Sequence, residues 1–332
     1  MTHPILVALD LPSDLQQKIQ SAAGPNPVTF QSCRTAQAYT ELGERNCEVL
    51  LSRFALPDSG CFPRLKWVQT CGAGVDHLAT HPLIHADVTF TTASGVHAAC
   101  ISELVFAFIL HFQRNLPKIR SYASQRKWPA QNELFEFFDR PDLDQQSLMV
   151  IGLGSIGRRV ARLGRTFGMR VLGIKRDPAS APELRYLSEK SVADAVFGIG
   201  EMPEIVPQAD YLILCLPLTA ETRGLINRHI LDRMKRSAIL INVGRGALID
   251  EAALVESLRN GGIAGAGLDC FAAEPLPPEH PFYEMENVIV SPHVGGATRS
   301  YDARVVDIFA ENIQRYLAGE PLLNRVDWGR GY

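Results

Sequence analysis

The sequence predicts an α/β protein built on parallel sheets covered by helices on both faces, and three observations carry that expectation. Short apolar or β-branched runs alternate with longer helical patterns along the 332 residues. The later runs are nearly continuous in apolar residues, as strands buried on both faces must be. One of them, ending at Ile151, opens directly into Gly152-Leu153-Gly154-Ser155-Ile156-Gly157, a glycine fingerprint between a strand and a helix.

Taken in order, residues 5–9, 48–51, 66–70 and 87–91 read as a first set of strands. A helix over 101–115 follows, and because 104–110 is apolar all round it must be buried; a helix packed between two domains satisfies that pattern. Residues 118–144 read as irregular, with Trp128-Pro129 inside them. A second set of strands is expected at 147–151, 170–174, 211–215, 238–242, 264–268 and 288–291. The fingerprint helix continues through Ile156, Val160, Leu163 and Phe167, and a last helix over 302–317 carries the stripe Val305, Val306, Phe309, Ile313 and Leu317. Placing that last helix back on the first domain makes the chain cross between domains twice.

Composition narrows the function classes. A net charge of −3 offers no basic field, so nucleic acid is not an expected partner. Seven cysteines without a Cys-x-x-Cys pair, several in apolar runs, read as reduced thiols rather than a disulfide framework. The N-terminus has no basic region ahead of an apolar core, and no apolar run is long enough to span a bilayer. A cytoplasmic protein without a membrane partner is the expectation.

The fingerprint makes physical sense as a dinucleotide site. Gly152 permits the tight turn, Gly154 lets the backbone approach a pyrophosphate, and Gly157 lets the helix pack on the strand. Ser155 and Ile156 open the helix, where unpaired amides and the macrodipole favour an anion. After the next strand come Lys175 and Arg176, where an NAD site normally places an acid. Two cations suit a 2′-phosphate, so NADP is favoured over NAD; Asp177 comes late, beside Pro178, and is expected to face solvent. The alternative for Lys175 and Arg176 is a solvated basic turn.

Downstream lie a cation, a carboxylate and an imidazole: Arg245 in Asn242-Val243-Gly244-Arg245-Gly246, Glu274 in Asp269-Cys270-Phe271-Ala272-Ala273-Glu274-Pro275, and His293 in Ser291-Pro292-His293-Val294-Gly295-Gly296. These are the groups that hydride transfer to a 2-oxo acid requires: a guanidinium for the substrate carboxylate, an imidazole for the proton, and a carboxylate to hold the imidazole. Reduction should then fail as rising pH strips the proton from the His293–Glu274 pair.

At these residues the chain resembles the D-isomer-specific 2-hydroxyacid dehydrogenase family, and within it the glyoxylate/hydroxypyruvate reductase branch. The resemblance extends over Gly72–His77, Gly95–Glu103, the fingerprint, Leu216–Thr222 and the three motifs just quoted. It implies two similar doubly wound domains with the active site in the cleft between them, a Rossmann dinucleotide-binding domain inserted into a flavodoxin-like substrate domain. The boundaries it implies are 1–101 with 293–332 for the substrate domain and 102–292 for the NAD(P)-binding domain. It further implies a homodimer and a small 2-oxo or 2-hydroxy acid as substrate. By position, Arg245 would bind the substrate carboxylate, His293 would act as general acid in reduction, and Glu274 would orient it. The amides of Gly74 and Val75 would be a second anchor for that carboxylate. Asp269 would accept from the nicotinamide carboxamide; Leu216, Pro217 and Thr222 would line the cofactor groove beside Val243, Arg245 and His293, and Gly295 would leave room for the ring.

Other features argue for less. His77, His81 and His85 recur every four residues, but Pro82 interrupts them and no cysteine or acid completes a tetrahedral set, so no metal site is expected. Arg158, Arg159, Arg162 and Arg165 form a basic stripe, read as a solvated face or a subunit contact. Cys71 and Cys270 read as packing residues. Trp128 has two readings, closing the substrate pocket or packing between domains. Formate oxidation on this fold needs no acid–base histidine, so Glu274 beside His293 favours a carbonyl substrate. The alternative from another class is a dinucleotide-sensing corepressor-like binding protein on the same fold.

Overall fold

The computed structural model describes residues 2–42, 46–53, 55–135, 140–176 and 192–331. The chain divides into two compact units, Met1–His97 with Ala297–Tyr332, and Ala98–Gly296. Residues 98–101 and 293–296 therefore fall with the second unit, where the sequence reading put them with the first. The reason is local: the helix Ala98–Gln113 begins at 98, and hydrogen bonds to Asp269 hold the 294–295 backbone.

The first unit is a parallel sheet of β1 (Ile5–Val7), β2 (Val28–Phe30), β3 (Val49–Ser52), β4 (Trp67–Thr70) and β5 (Thr89–Thr91). Its order, β2-β1-β3-β4-β5, is that of flavodoxin-like folds. Strand β2 was not expected; three half-buried residues at a sheet edge are too few to show a period. One face of the sheet packs on the helices Ser13–Ala23 and Tyr301–Ala318, where Val305, Val306, Phe309 and Ile313 are buried against Ile5, Val7, Val49 and Trp67. Each such side chain contributes about 1.5–3 kcal/mol by leaving water. Leu317, expected in the same stripe, lies one turn beyond the covered stretch and is 37% exposed.

The second unit is a parallel seven-stranded sheet of β6 (Ser147–Ile151), β7 (Arg170–Lys175), β8 (Ala195–Gly198), β9 (Tyr211–Leu214), β10 (Ile239–Asn242), β11 (Gly265–Leu268) and β12 (Val288–Val290). The order β12-β11-β10-β9-β6-β7-β8 is the Rossmann arrangement with one strand added, and it reverses between β6 and β9. Strand β8 escaped the sequence reading because it is an edge strand of partly exposed residues. Apolar cores cover both faces, which explains the unbroken apolar runs of β6, β9 and β10. The Ala98–Gln113 helix packs on the helix Ser155–Thr166 and on β10 and β11, burying Val105 and Ile109 completely. Its apolar circumference is thus answered within its own unit.

Several smaller expectations change. Trp128 is 93% exposed. The arginine stripe is only partly solvated. Arg158 Nε donates to the Leu153 carbonyl at 3.0 Å, Arg159 Nε to Ser102 Oγ at 3.1 Å, and Arg165 pairs with Asp194 at 2.7 Å. His77 and His85 sit in separate single turns, Asp76–Leu78 and Pro82–His85, and His81 accepts from the Leu83 amide. Asp177 and Pro178 lie outside the described residues. Among the described residues no helix is long and apolar enough to cross a membrane.

Candidate active site

Every site residue expected in the second unit except Lys175, which ends β7, lies just past the carboxyl end of a strand, where doubly wound sheets bind ligands. Past β6, Gly152 has φ +95°, and a Cβ there would stand 2.8 Å from the Cys215 carbonyl oxygen. A Cβ on Gly157 would stand 1.9 Å from the Gly152 carbonyl oxygen, so only glycine lets the helix start this close to the strand. Around Gly154 nothing lies within 4 Å of a built Cβ. That open backbone, leading into the helix at Ser155 and Ile156, is a cradle that fits a dinucleotide pyrophosphate.

The loop after β9 closes beside it. Leu216 is buried against the fingerprint, and Pro217 is exposed. Thr222 is buried, donates Oγ1 to the Pro217 carbonyl at 2.8 Å and accepts the Thr219 amide at 2.8 Å. Its hydroxyl shapes the loop rather than standing open in a groove, because a buried hydroxyl must satisfy itself locally. Lys175 ends β7, and Arg176 pairs with Glu221 of the neighbouring loop at 3.0 Å.

Arg245 follows β10 in a turn stitched by Asn242, whose Oδ1 accepts the Gly244 amide at 3.0 Å and whose Nδ2 donates to the Arg245 carbonyl at 2.9 Å. Arg245 is half-buried and donates Nη1 to the Gly244 carbonyl at 3.0 Å. The next residue, Gly246, touches the loop past β11 so closely that a Cβ would lie 1.8 Å from the Phe271 carbonyl carbon. This contact sets the turn bearing Arg245 against the loop bearing Glu274. Charges of both residues reach Cys270; its thiol is driven up first by burial, then by Asp269 and Glu274, with Arg245 opposing. Cys270 is therefore a packing thiol, not a nucleophile.

Glu274 Oε2 lies 2.7 Å from His293 Nδ1, and Glu274 Oε1 accepts the Phe271 amide at 2.9 Å. His293 and Glu274 are 47% and 35% exposed, so the pair is open to an incoming molecule. His293 adopts φ +53°, a left-handed conformation that non-glycine residues hold only when their surroundings force it. The forcing group is Asp269. Buried at the end of β11, it accepts from Ser291 Oγ at 2.5 Å, the Val294 amide at 3.0 Å and the Gly295 amide at 2.9 Å. Gly295 is required here, since a Cβ would come within 2.5 Å of Asp269 Oδ2. The sequence reading gave Asp269 a nicotinamide contact and missed this clamp, although Asp269 and Ser291 both stand at strand ends in the motifs it quoted. Val243 is buried under the same edge of the sheet.

In the first unit, Gly74 and Val75 follow β4, with Val75 buried and its carbonyl accepting the Leu78 amide at 2.9 Å. The start of that loop is held by Tyr301, whose hydroxyl donates to the Cys71 carbonyl at 2.8 Å.

Residues 106–295, more than half of the chain, match the model of the D-isomer specific 2-hydroxyacid dehydrogenase, NAD binding domain. The chain belongs to the D-isomer-specific 2-hydroxyacid dehydrogenase family. Among its relatives in that family is a glyoxylate reductase of Aeropyrum pernix, 32% identical over 307 residues that cover 91% of this chain and 86% of the relative. A D-isomer specific 2-hydroxyacid dehydrogenase of Xanthobacter autotrophicus Py2, solved with NADPH and MES, superposes with a TM-score of 0.80 at 28% identity, covering 100% of both chains. An NADPH-dependent glyoxylate/hydroxypyruvate reductase of Sinorhizobium meliloti, solved with NADP and sulfate, gives 0.79 at 27% identity with the same coverage. The family is one of NAD(P)-dependent oxidoreductases, in keeping with the Rossmann unit described above.

Proposed function

We propose that this protein is an NADPH-dependent reductase of small 2-oxo acids, of the glyoxylate and hydroxypyruvate class, giving D-2-hydroxy acids, with NADH the weaker reductant. The observation that carries the reading is the 2.7 Å contact between Glu274 Oε2 and His293 Nδ1, on the same sheet edge as the glycine cradle and the Arg245 turn. Because Glu274 takes Nδ1, the other ring nitrogen, Nε2, is the one that gives its proton to the substrate oxygen. Arg245 holds the substrate carboxylate as a charged fork and draws electron density from the reacting carbonyl. A bound reduced nicotinamide supplies the hydride to the substrate's second carbon; the His293 proton completes the hydroxyl. Lys175 and Arg176 are the residues for a 2′-phosphate, and the similar Xanthobacter and Sinorhizobium structures, solved with NADPH and NADP, support that preference.

The test is consumption of NADPH with a panel of 2-oxo acids. Turnover with glyoxylate or hydroxypyruvate well above the substrate-free rate is expected; none with any member of the panel would end the proposal. The assembly proposed is a homodimer, supported by the exposed apolar residues Leu116, Ile119 and Trp128 near one another in sequence. Sedimentation at the mass of one chain would remove it.

A further inference from the structure

The loop from Phe271 to Glu274 has two adjacent amides that are satisfied by two different carboxylates. Phe271 N–H donates to Glu274 itself, whereas Ala272 N–H donates to Glu251 Oε1 at 2.7 Å. Glu251 is distant in sequence and belongs to another element, the first residue of the helix Glu251–Arg259. That helix start is rigid: Asp250 caps it, with Oδ1 accepting the Ala253 amide at 3.1 Å. The Asp250 amide in turn donates to the Ile226 carbonyl at 2.9 Å. The chain reaches Glu251 directly from the turn that bears Arg245, through the single turn Gly246–Leu248. The Glu251 side chain is 20% exposed, and its second oxygen, Oε2, faces His280 Nε2 at 3.9 Å. A largely shielded carboxylate accepting a backbone amide makes a stronger and shorter bond than a neutral group would.

We infer that Glu251 is a positioning residue for the reaction: it ties the turn carrying Arg245 to the loop carrying Glu274, and through Glu274 sets the direction of His293. The inference rests on the acid–base reading of Glu274 and His293. The contact of Gly246 with Phe271 and Ala272 brings the two loops together but exerts no directional hold. The Glu251–Ala272 bond supplies that hold, two residues from Glu274. Displacing a catalytic group by about 1 Å is enough to cost on the order of 10²-fold in rate.

Three variants test it. Glu251→Ala removes the acceptor, Glu251→Asp withdraws it by one methylene, and Glu251→Gln keeps an amide oxygen where Oε1 stands. Expected are a fall in kcat of roughly 10- to 100-fold for the alanine and aspartate variants, and recovery to within about threefold for glutamine. NADPH affinity, measured by fluorescence titration, should stay within about twofold, since the glycine cradle is untouched. Amide hydrogen exchange at Ala272 gives a readout that needs no turnover: it should quicken at least tenfold in Glu251→Ala and Glu251→Asp and stay slow in Glu251→Gln. An unchanged kcat in Glu251→Asp, a glutamine variant as impaired as alanine, or Ala272 exchange indifferent to all three would overturn the inference. The expected exchange pattern across the variants, with no turnover of any 2-oxo acid by the wild-type protein, would instead sink the acid–base reading and leave the clamp standing.

Discussion

In the proposed function Arg245 and the pair Lys175 and Arg176 recognise two different anions, and substitutions at each separate them. Arg245→Ala should lower kcat/KM for a 2-oxo acid by roughly 10²-fold or more, since a charge-assisted fork to the carboxylate is lost. NADPH affinity should hardly move; a large loss of NADPH binding would show that Arg245 serves the cofactor instead. Lys175→Asp combined with Arg176→Ala should shift the preference from NADPH toward NADH by about tenfold or more, read as a ratio of dissociation constants. An unchanged ratio would return both residues to the status of a solvated turn. The Arg176–Glu221 pair was invisible in the sequence, because the two residues lie on separate loops. The candidates Arg245, Glu274 and His293 could be picked out from their motifs, and the Glu274–His293 contact is present, but Asp269 was not legible as the clamp of the His293 loop. An aspartate at a strand end carries no mark of which amides it will meet.

At the scale of elements, the working parts are loops at strand ends, made stiff by close backbone contacts. Gly157→Ala shows the cost of disturbing one. With the Gly152 carbonyl oxygen 1.9 Å from the new Cβ, the strand and helix must separate. A loss of about 1–3 kcal/mol is expected from overpacking, together with loss of dinucleotide binding. Thermal denaturation and NADPH titration read the two effects, and a variant that binds NADPH like the wild type would contradict the packing argument. The strands with continuous apolar runs were found by pattern, while β2 and β8 were not, since edge strands keep exposed positions and few residues. The helix over 98–113 was legible as buried, yet the surface that buries it, β10 and β11 with the Ser155–Thr166 helix, was a matter for the tertiary structure.

At the scale of the molecule, the first unit is built from both ends of the chain, and Glu48 shows how they are joined. This buried carboxylate receives the Tyr316 hydroxyl at 2.7 Å, His3 Nδ1 at 2.8 Å, Arg64 Nη2 at 3.2 Å and Lys66 Nζ at 3.4 Å. Burial alone would raise its pKa, but the bonds from His3 and Tyr316 and the charges of His3 and Lys66 outweigh it, and the carboxyl is held down at about 2 against an ordinary 4.5. A folded-state value below the unfolded one means that the stabilisation is present above pH 4.5 and fades as pH falls toward about 2. Its ceiling is about 3 kcal/mol. Glu48→Gln should therefore lower stability at neutral pH and flatten the acid limb of the stability curve; equal acid sensitivity in both proteins would refute the assignment. By itself the sequence determined the α/β class, the dinucleotide loop and the candidates Arg245, Glu274 and His293, because periodicity and local motifs are written in neighbouring residues. Only the tertiary structure decided which carboxylate holds which loop: Asp269 on Val294 and Gly295, Glu251 on Ala272, Glu48 on Tyr316. Those choices depend on strand order and loop approach, which bring together residues that nothing in the linear chain connects.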